Sequence, residues 1–245
     1  MQNNFEYGYL ANKPETDLAF LPVGSIEVHG GYIPLETDTI IAQACAMKFA
    51  QCTGGIMLPP LHAGVCPNTD LFPGTISVSI KSFFDYVLGI LLSVHKKGFK
   101  KIVLVNIHNG NDAVLKTIVD EMYMQYNCIV YYVNPYTFFD GSDSYFSGMD
   151  NDYKETSLLL ASCKILDLKL ENRAAENETA PKNENISHLK KFGYIGYSYD
   201  CERQHIAPRP QADAKTGLKY IDAVCGQLPQ IIQNLSRCLE DNEKR

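Results

Sequence analysis

Four short runs rich in Val, Ile, Leu or Tyr stand out along the chain: Leu18 to Ile26, Gly55 to Pro59, Lys101 to Ile107 and Cys128 to Val133. Their length and apolar character predict buried strands. Between and after them, apolar residues recur at helical spacing. Asp38 to Gln51 carries Ile40, Ile41, Ala44, Met47 and Phe49 behind Thr37, a good capping residue. Ile80 to Lys97 ends at Gly98, as a helix closed by a glycine should. Further helices are predicted over Asp112 to Gln125, Lys154 to Ile165, and Gln211 to about Leu239, with Pro229 a point of interruption in the last.

Strands alternating with helices imply an α/β fold, a three-layer α/β/α sandwich around a mostly parallel sheet. A chain of 245 residues can form this as one domain spanning 1–245. In such sheets ligands sit at the carboxyl ends of strands, where the following loops open. Residues 170–191 break the alternation. They are polar, dense in Asn and Glu, and read as a surface excursion of the kind that can also close over a site or an interface.

Composition removes several function classes. Apolar residues make up 45% and charged residues 20%, and the formal charge of -6 provides no basic field for nucleic acid. No stretch approaches the roughly 20 apolar residues of a membrane span, and the N-terminus lacks a signal-peptide pattern, so a cytoplasmic protein is expected. The cysteines, at 45, 52, 66, 128, 163, 201, 225 and 238, form no C-x-x-C pair and read as reduced thiols.

The candidate chemistry lies just beyond two of the strands. After the first comes E-V-H-G-G-Y-I-P-L-E-T-D, with Glu27, His29 and Asp38. If the extended conformation persists past Ser25, Glu27 and His29 share one side of the strand. Asp38 would fall in the first turn of the following helix. After the third strand comes V-N-I-H-N-G-N-D, with His108 beside Gly110, and neighbouring strands would bring both loops to one crevice. Glu155, in D-Y-K-E-T-S-L-L-L, also reads as an ordinary first-turn acid that complements the helix dipole.

Together these blocks resemble the creatininase (creatinine amidohydrolase) family. L-P-V-G-S-I-E-V-H-G and L-E-T-D-T resemble its L-P-x-G-S-x-E-x-H-G and L-P-x-x-T-D-T. F-P-G-T-I-S at 72 to 77, V-N-I-H-N-G-N and E-T-S-L-L-L resemble three further family blocks in the same order. The resemblance implies a homo-oligomeric α/β hydrolase, hexameric in many members, that uses two divalent ions per chain to cleave small cyclic or linear amides. Glu27, His29, Asp38 and His108 match metal-ligand positions, Asp38 bridging. Creatininase itself has a further Glu where this chain has Gly110, so Glu155 is the best remaining ligand. Three carboxylates and two imidazoles suit Zn²⁺ or Mn²⁺, and Fe²⁺ also fits. No G-x-S-x-G elbow points to a serine nucleophile.

Two departures from the family pattern bear on substrate. Asp150 stands where relatives carry a histidine, and with Glu155 it is a candidate catalytic residue, since a neighbouring Asp152 could raise its pKa enough for it to donate a proton. C-P-N-T-D, residues 66–70, replaces a family stretch upstream of F-P-G-T. Both changes point to a substrate other than creatinine; the alternative is a metal-holding binding or regulatory protein without turnover. Of the other histidines, His62 could face the pocket but reads better as structural. His95 and His188 read as surface or helix-end residues, and His205 as a weak candidate for a replacement acid.

Overall fold

The computed structural model describes residues 16–30, 32–138, 151–170, 184–198 and 211–244. The first strand, β1 (Leu18–Val23), is buried along its whole length. It is joined by β2 (Ile56–Met57), β3 (Lys101–Asn106) and β4 (Val130–Val133). Among the described residues these form one sheet in the order β2-β1-β3-β4, with every pairing parallel. β1 and β3 lie side by side in full register, from Leu18 opposite Lys101 to Val23 opposite Asn106. The two strands therefore end together, and the loops that leave them share one edge of the sheet.

The helices are α1 (Thr37–Thr53), α2 (Ile80–Lys96), α3 (Asp112–Tyr126), α4 (Asn151–Leu166), α5 (Glu184–Lys190) and α6 (Ala214–Glu243). Alternation along the strands divides the apolar residues into two cores. Leu18 and Phe20 pack with Ile41 and Phe49 of α1, Leu159 of α4 and Tyr220 of α6. Ala19, Leu21 and Val23 pack on the other face with Phe83 and Leu91 of α2 and Leu115 and Ile118 of α3. The three-layer sandwich follows from this period of two.

Several elements depart from expectation. β1 stops at Val23, three residues short of Ile26, where its last contact on this side is a parallel bridge to Leu61, whose carbonyl accepts from Gly24 N–H at 2.9 Å. Thr37 is the first residue of α1, not its cap, and its hydroxyl donates to the Pro34 carbonyl at 2.6 Å. α4 starts three residues before Lys154, so Glu155 lies beyond the first turn and the simple dipole reading of it loses its basis. Within 170–191, residues 184–190 are the helix α5, with Glu184 in its first turn and Lys190 in its last and no buried residue.

Pro229 does not interrupt α6. A proline removes one backbone donor, leaving the carbonyl four residues back without its helical partner. That carbonyl belongs to Cys225, and it lies 3.7 Å from the Cys52 thiol of α1, which also has the Phe49 carbonyl at 3.3 Å. Val224, Leu228, Ile232 and Leu235, buried on both sides of the proline, hold the helix against the core. No helix among the described residues is long and apolar enough to cross a membrane.

α4 and α6 approach closely at Gly217, where an added Cβ would lie 2.1 Å from the Ser157 carbonyl oxygen. Gly226, on the same helix, has open space around the corresponding position. Gly217→Ala is therefore expected to destabilise the fold by about 1–3 kcal/mol through overpacking. Gly226→Ala should stabilise it by about 0.5–1 kcal/mol through helix propensity. Chemical denaturation of the two variants checks the opposite signs, and equal shifts would contradict the close approach.

Candidate metal centre

The loops that leave β1 and β3 are pinned before they reach the site. Asn111, just after β3, is fully buried; its side-chain amide donates to the Gly24 carbonyl at 2.9 Å and accepts from Val65 N–H at 2.9 Å. One side chain thus ties together the segments after β1, after β2 and after β3. The loop from Gly24 onward is further held by Glu27 N–H to the Leu35 carbonyl at 3.0 Å and Val28 N–H to Thr75 Oγ1 at 3.1 Å. F-P-G-T-I-S contributes through this threonine.

Within this frame Glu27, His29, Asp38, His108 and Glu155 come together, all buried. His108 Nδ1 stands 2.9 Å from Glu27 Oε1 and 2.9 Å from Asp38 Oδ2. His29 Nε2 stands 3.5 Å from Asp38 Oδ1 and 3.5 Å from Glu155 Oε1. Asp38 is therefore shared between the two imidazoles, one oxygen to each. Glu27 and His29 do not converge by strand alternation, since both lie beyond the end of β1. They are brought in by the loop, which folds back so that His29 bridges to Ile33.

The outer nitrogens of both histidines are occupied. His29 Nδ1 donates to the Glu27 carbonyl at 2.9 Å, and His108 Nε2 donates to the Val65 carbonyl at 2.9 Å. A carbonyl can only accept, so each ring carries its proton on the outer nitrogen and turns the other nitrogen toward the carboxylates. This is the arrangement that orients metal-binding imidazoles. Gly110 is required for it: a Cβ there would lie 2.1 Å from the Val65 oxygen and 2.4 Å from His108 Nε2, on top of the hydrogen bond. Gly110 thus has a positioning role of its own.

The carboxylates are held as well. Ser25 Oγ donates to Asp38 Oδ2 at 2.8 Å, and Thr69 Oγ1 donates to Glu27 Oε2 at 2.6 Å. Thr69 belongs to the C-P-N-T-D loop, and so does Cys66, which is buried against Glu27 and His108. Sequence reasoning misses both as site residues; the one signal pointing to them is that this loop departs from the family pattern. One ligand atom from each of Glu27, His29 and Asp38 lies within 4.8 Å of the others, a spacing that could hold an ion. Asp150 and His205 lie outside the described residues. His62 is half exposed and pairs with Glu36 Oε1 at 3.2 Å.

Electrostatics shows how crowded the charges are. Burial disfavours protonated His29, but attraction to Asp38 and hydrogen bonds to Asp38 and Glu155 outweigh it and hold its pKa well above the ordinary 6.5. His108 is likewise raised, against burial, by attraction to Glu27 and hydrogen bonding to Asp38. Asp38 is held well below 3.8 because the two imidazoles overcome its own desolvation. With no ion bound, protons on the imidazoles offset two of the three carboxylate charges; a divalent ion could take their place, and the donor set fits one.

A family model described as creatinine amidohydrolase matches residues 9–232. The chain is 33% identical over 102 residues to the 3-dehydro-scyllo-inosose hydrolase of Thermotoga maritima, covering 41% of this chain and 32% of that one. It is 34% identical over 112 residues to the mycofactocin precursor peptide peptidase of Mycolicibacterium smegmatis, covering 42% of this chain and 43% of that one. The matched region thus spans less than half the length of these curated relatives. Among solved structures, a mutant creatininase of Zn–Zn type superposes with a TM-score of 0.69 at 18% identity, covering 89% of this chain and 90% of that one. At that identity the likeness concerns the fold.

The pKa directions predict a stability profile for metal-stripped protein. Groups raised in the folded state, His29 and His108, contribute stability that is full below the unfolded pKa of about 6.5 and lost as pH rises through their folded values. Asp38 is lowered, so its contribution is present above about 3.8 and lost as pH falls through its folded value. Thermal unfolding in chelator should therefore show stability declining above neutral pH, and added Zn²⁺ should raise the midpoint more near about pH 9 than near about pH 6. An equal rise at both would mean that protons and metal do not compete at these imidazoles.

Proposed function

The chain belongs to the creatininase family, and on that premise we propose that it is a metal-dependent amidohydrolase with two divalent ions, Zn²⁺ or Mn²⁺, acting on a small non-peptide amide other than creatinine. The observation that carries the reading is the pair of imidazoles whose outer nitrogens are held by the carbonyls of Glu27 and Val65 while their inner nitrogens meet a shared Asp38. In this reading Glu27, His29, Asp38, His108 and Glu155 would hold the ions. Two such ions supply a polarising charge for a carbonyl oxygen and lower the pKa of water toward neutrality.

The chain's own residues position this chemistry. Ser25 and Thr69 fix the carboxylates of Asp38 and Glu27, so that neither must reorganise when charge develops nearby. The Val65 and Glu27 carbonyls set the imidazole orientation. Proton delivery to a leaving nitrogen falls in this reading to Asp150, in the position where relatives carry histidine. A second reading, a metal-holding binding protein without turnover, rests on that same replacement and on the C-P-N-T-D loop.

Metal analysis with a panel of lactams, formamides and small linear amides separates the two. The proposal expects two ions per chain after loading, and hydrolysis of at least one panel member that Asp38→Ala loses together with its metal. Two ions with no turnover of any amide would favour the binding protein, and fewer than one ion per chain would refute both. Thr69→Val, which removes only the hydroxyl that holds Glu27, is expected to cost about 10–100-fold in metal affinity. An unchanged affinity by competition with a chelator would remove Thr69 from the site.

A further inference from the structure

The Glu27 side of the cluster contains a donor that lies in none of the family blocks. Cys66 is 1% exposed, and one donor atom from each of Glu27, Cys66 and His108 lies within 4.8 Å of the others. Other buried thiols differ from it: Cys45 and Cys163 sit in the apolar core on one face of the sheet, and Cys128 in the core on the other. Cys66 belongs to neither core. Its neighbours are an imidazole and a carboxylate.

The backbone that carries the sulfur is also held in place. Cys66 N–H donates to Ser77 Oγ at 3.0 Å, and Thr69 N–H donates to the Cys66 carbonyl at 3.3 Å. The residue before it is locked by Asn111 and turns its carbonyl to His108, and Thr69 reaches Glu27 from the same loop. A loop that orients two ligand candidates presents its thiol as a third donor.

Building on the dinuclear reading above, we propose that Cys66 is a metal ligand and that its sulfur makes the two subsites chemically unequal. Glu27, Cys66 and His108 form a thiolate-containing subsite that selects Zn²⁺. On the other side of Asp38, whose two oxygens face the two imidazoles, His29 and Glu155 form with it a harder subsite of oxygen and imidazole donors that accepts Mn²⁺ as well. Charge balance favours this division. The carboxylates of Glu27, Asp38 and Glu155 leave one positive charge of two divalent ions uncompensated, and a thiolate closes it. In the coordination step the S–H bond breaks, the proton leaves to solvent and the sulfur lone pair bonds the ion; nothing is oxidised.

The test uses full-length protein loaded with Zn²⁺ alone or Co²⁺ alone. Zinc-edge X-ray absorption of the wild type should contain a Zn–S shell at about 2.3 Å. The Co²⁺ form should show a thiolate-to-metal charge-transfer band in the near ultraviolet. Cys66→Ser should lose both signals, and its preference for Zn²⁺ over Mn²⁺ in competition should fall by about tenfold or more; Cys128→Ser should keep them. Two ions bound with only nitrogen and oxygen neighbours would overturn this inference and leave the dinuclear reading standing. Fewer than one ion per chain would overturn both. The wild-type absorption spectrum decides the question even if Cys66→Ser fails to fold.

Discussion

Three carboxylates gathered out of water are the constraint around which this protein is organised. Glu27, Asp38 and Glu155 come from a loop, a helix start and a second helix, and all three are buried. Like charges at such spacing repel strongly in a medium less polarisable than water, so cations must be supplied where they meet. His29 and His108 stand between the carboxylates for that reason, each within ion-pair reach of two of them. The same arrangement that offsets the cluster's charge with protons offers two inward nitrogens to a metal. Stability and ligand binding therefore draw on one set of contacts, and either partner can satisfy it.

The sheet topology makes this gathering possible. Parallel pairing of β1 with β3 in full register ends both strands at one edge, so two loops distant in sequence begin as neighbours. Asn111 then joins those loops to the segment after β2 through two hydrogen bonds made entirely inside the protein. α1 brings Asp38 in at its first turn, and α4 brings Glu155 in from the face that it shares with α1 and α6. The elements that carry these residues must also be held together. The two apolar cores on either side of β1 do that, and the site occupies the sheet edge they leave open.

The strands and helices are legible in apolar periodicity because both faces of the sheet are covered, which makes each strand a nearly continuous apolar run. The ligand candidates are legible because carboxylates and imidazoles concentrated just past buried strand ends are costly to desolvate unless they serve one another or an ion. Other features depend on contacts between residues far apart in the chain. The bond from Thr69 to Glu27 spans 42 positions, and that from His108 to Val65 spans 43. No local pattern announces either. Strand alternation places Glu27 and His29 on one side, whereas the loop beyond Val23 is what brings them together. Pro229 reads as a break because its cost is local, while the core packing of Val224, Leu228, Ile232 and Leu235 that holds the helix comes from other elements.

The blocks that carry the resemblance to the family and the loop that departs from it sit differently in the fold. The E-x-H, T-D-T and E-T-S blocks lie past strand ends and on helices fixed by the cores, where a shift of one residue would scatter the charges. The C-P-N-T-D loop is anchored by side-chain hydrogen bonds from Asn111 and Ser77, and such segments change sequence without unfolding the sheet. Yet this loop reaches the carboxylate of Glu27 and places a sulfur beside His108. A loop of this kind, in direct contact with the ligand candidates Glu27 and His108, can change the surroundings of the site while leaving the fold intact. Within one architecture, that is where a change of substrate would be expected to arise.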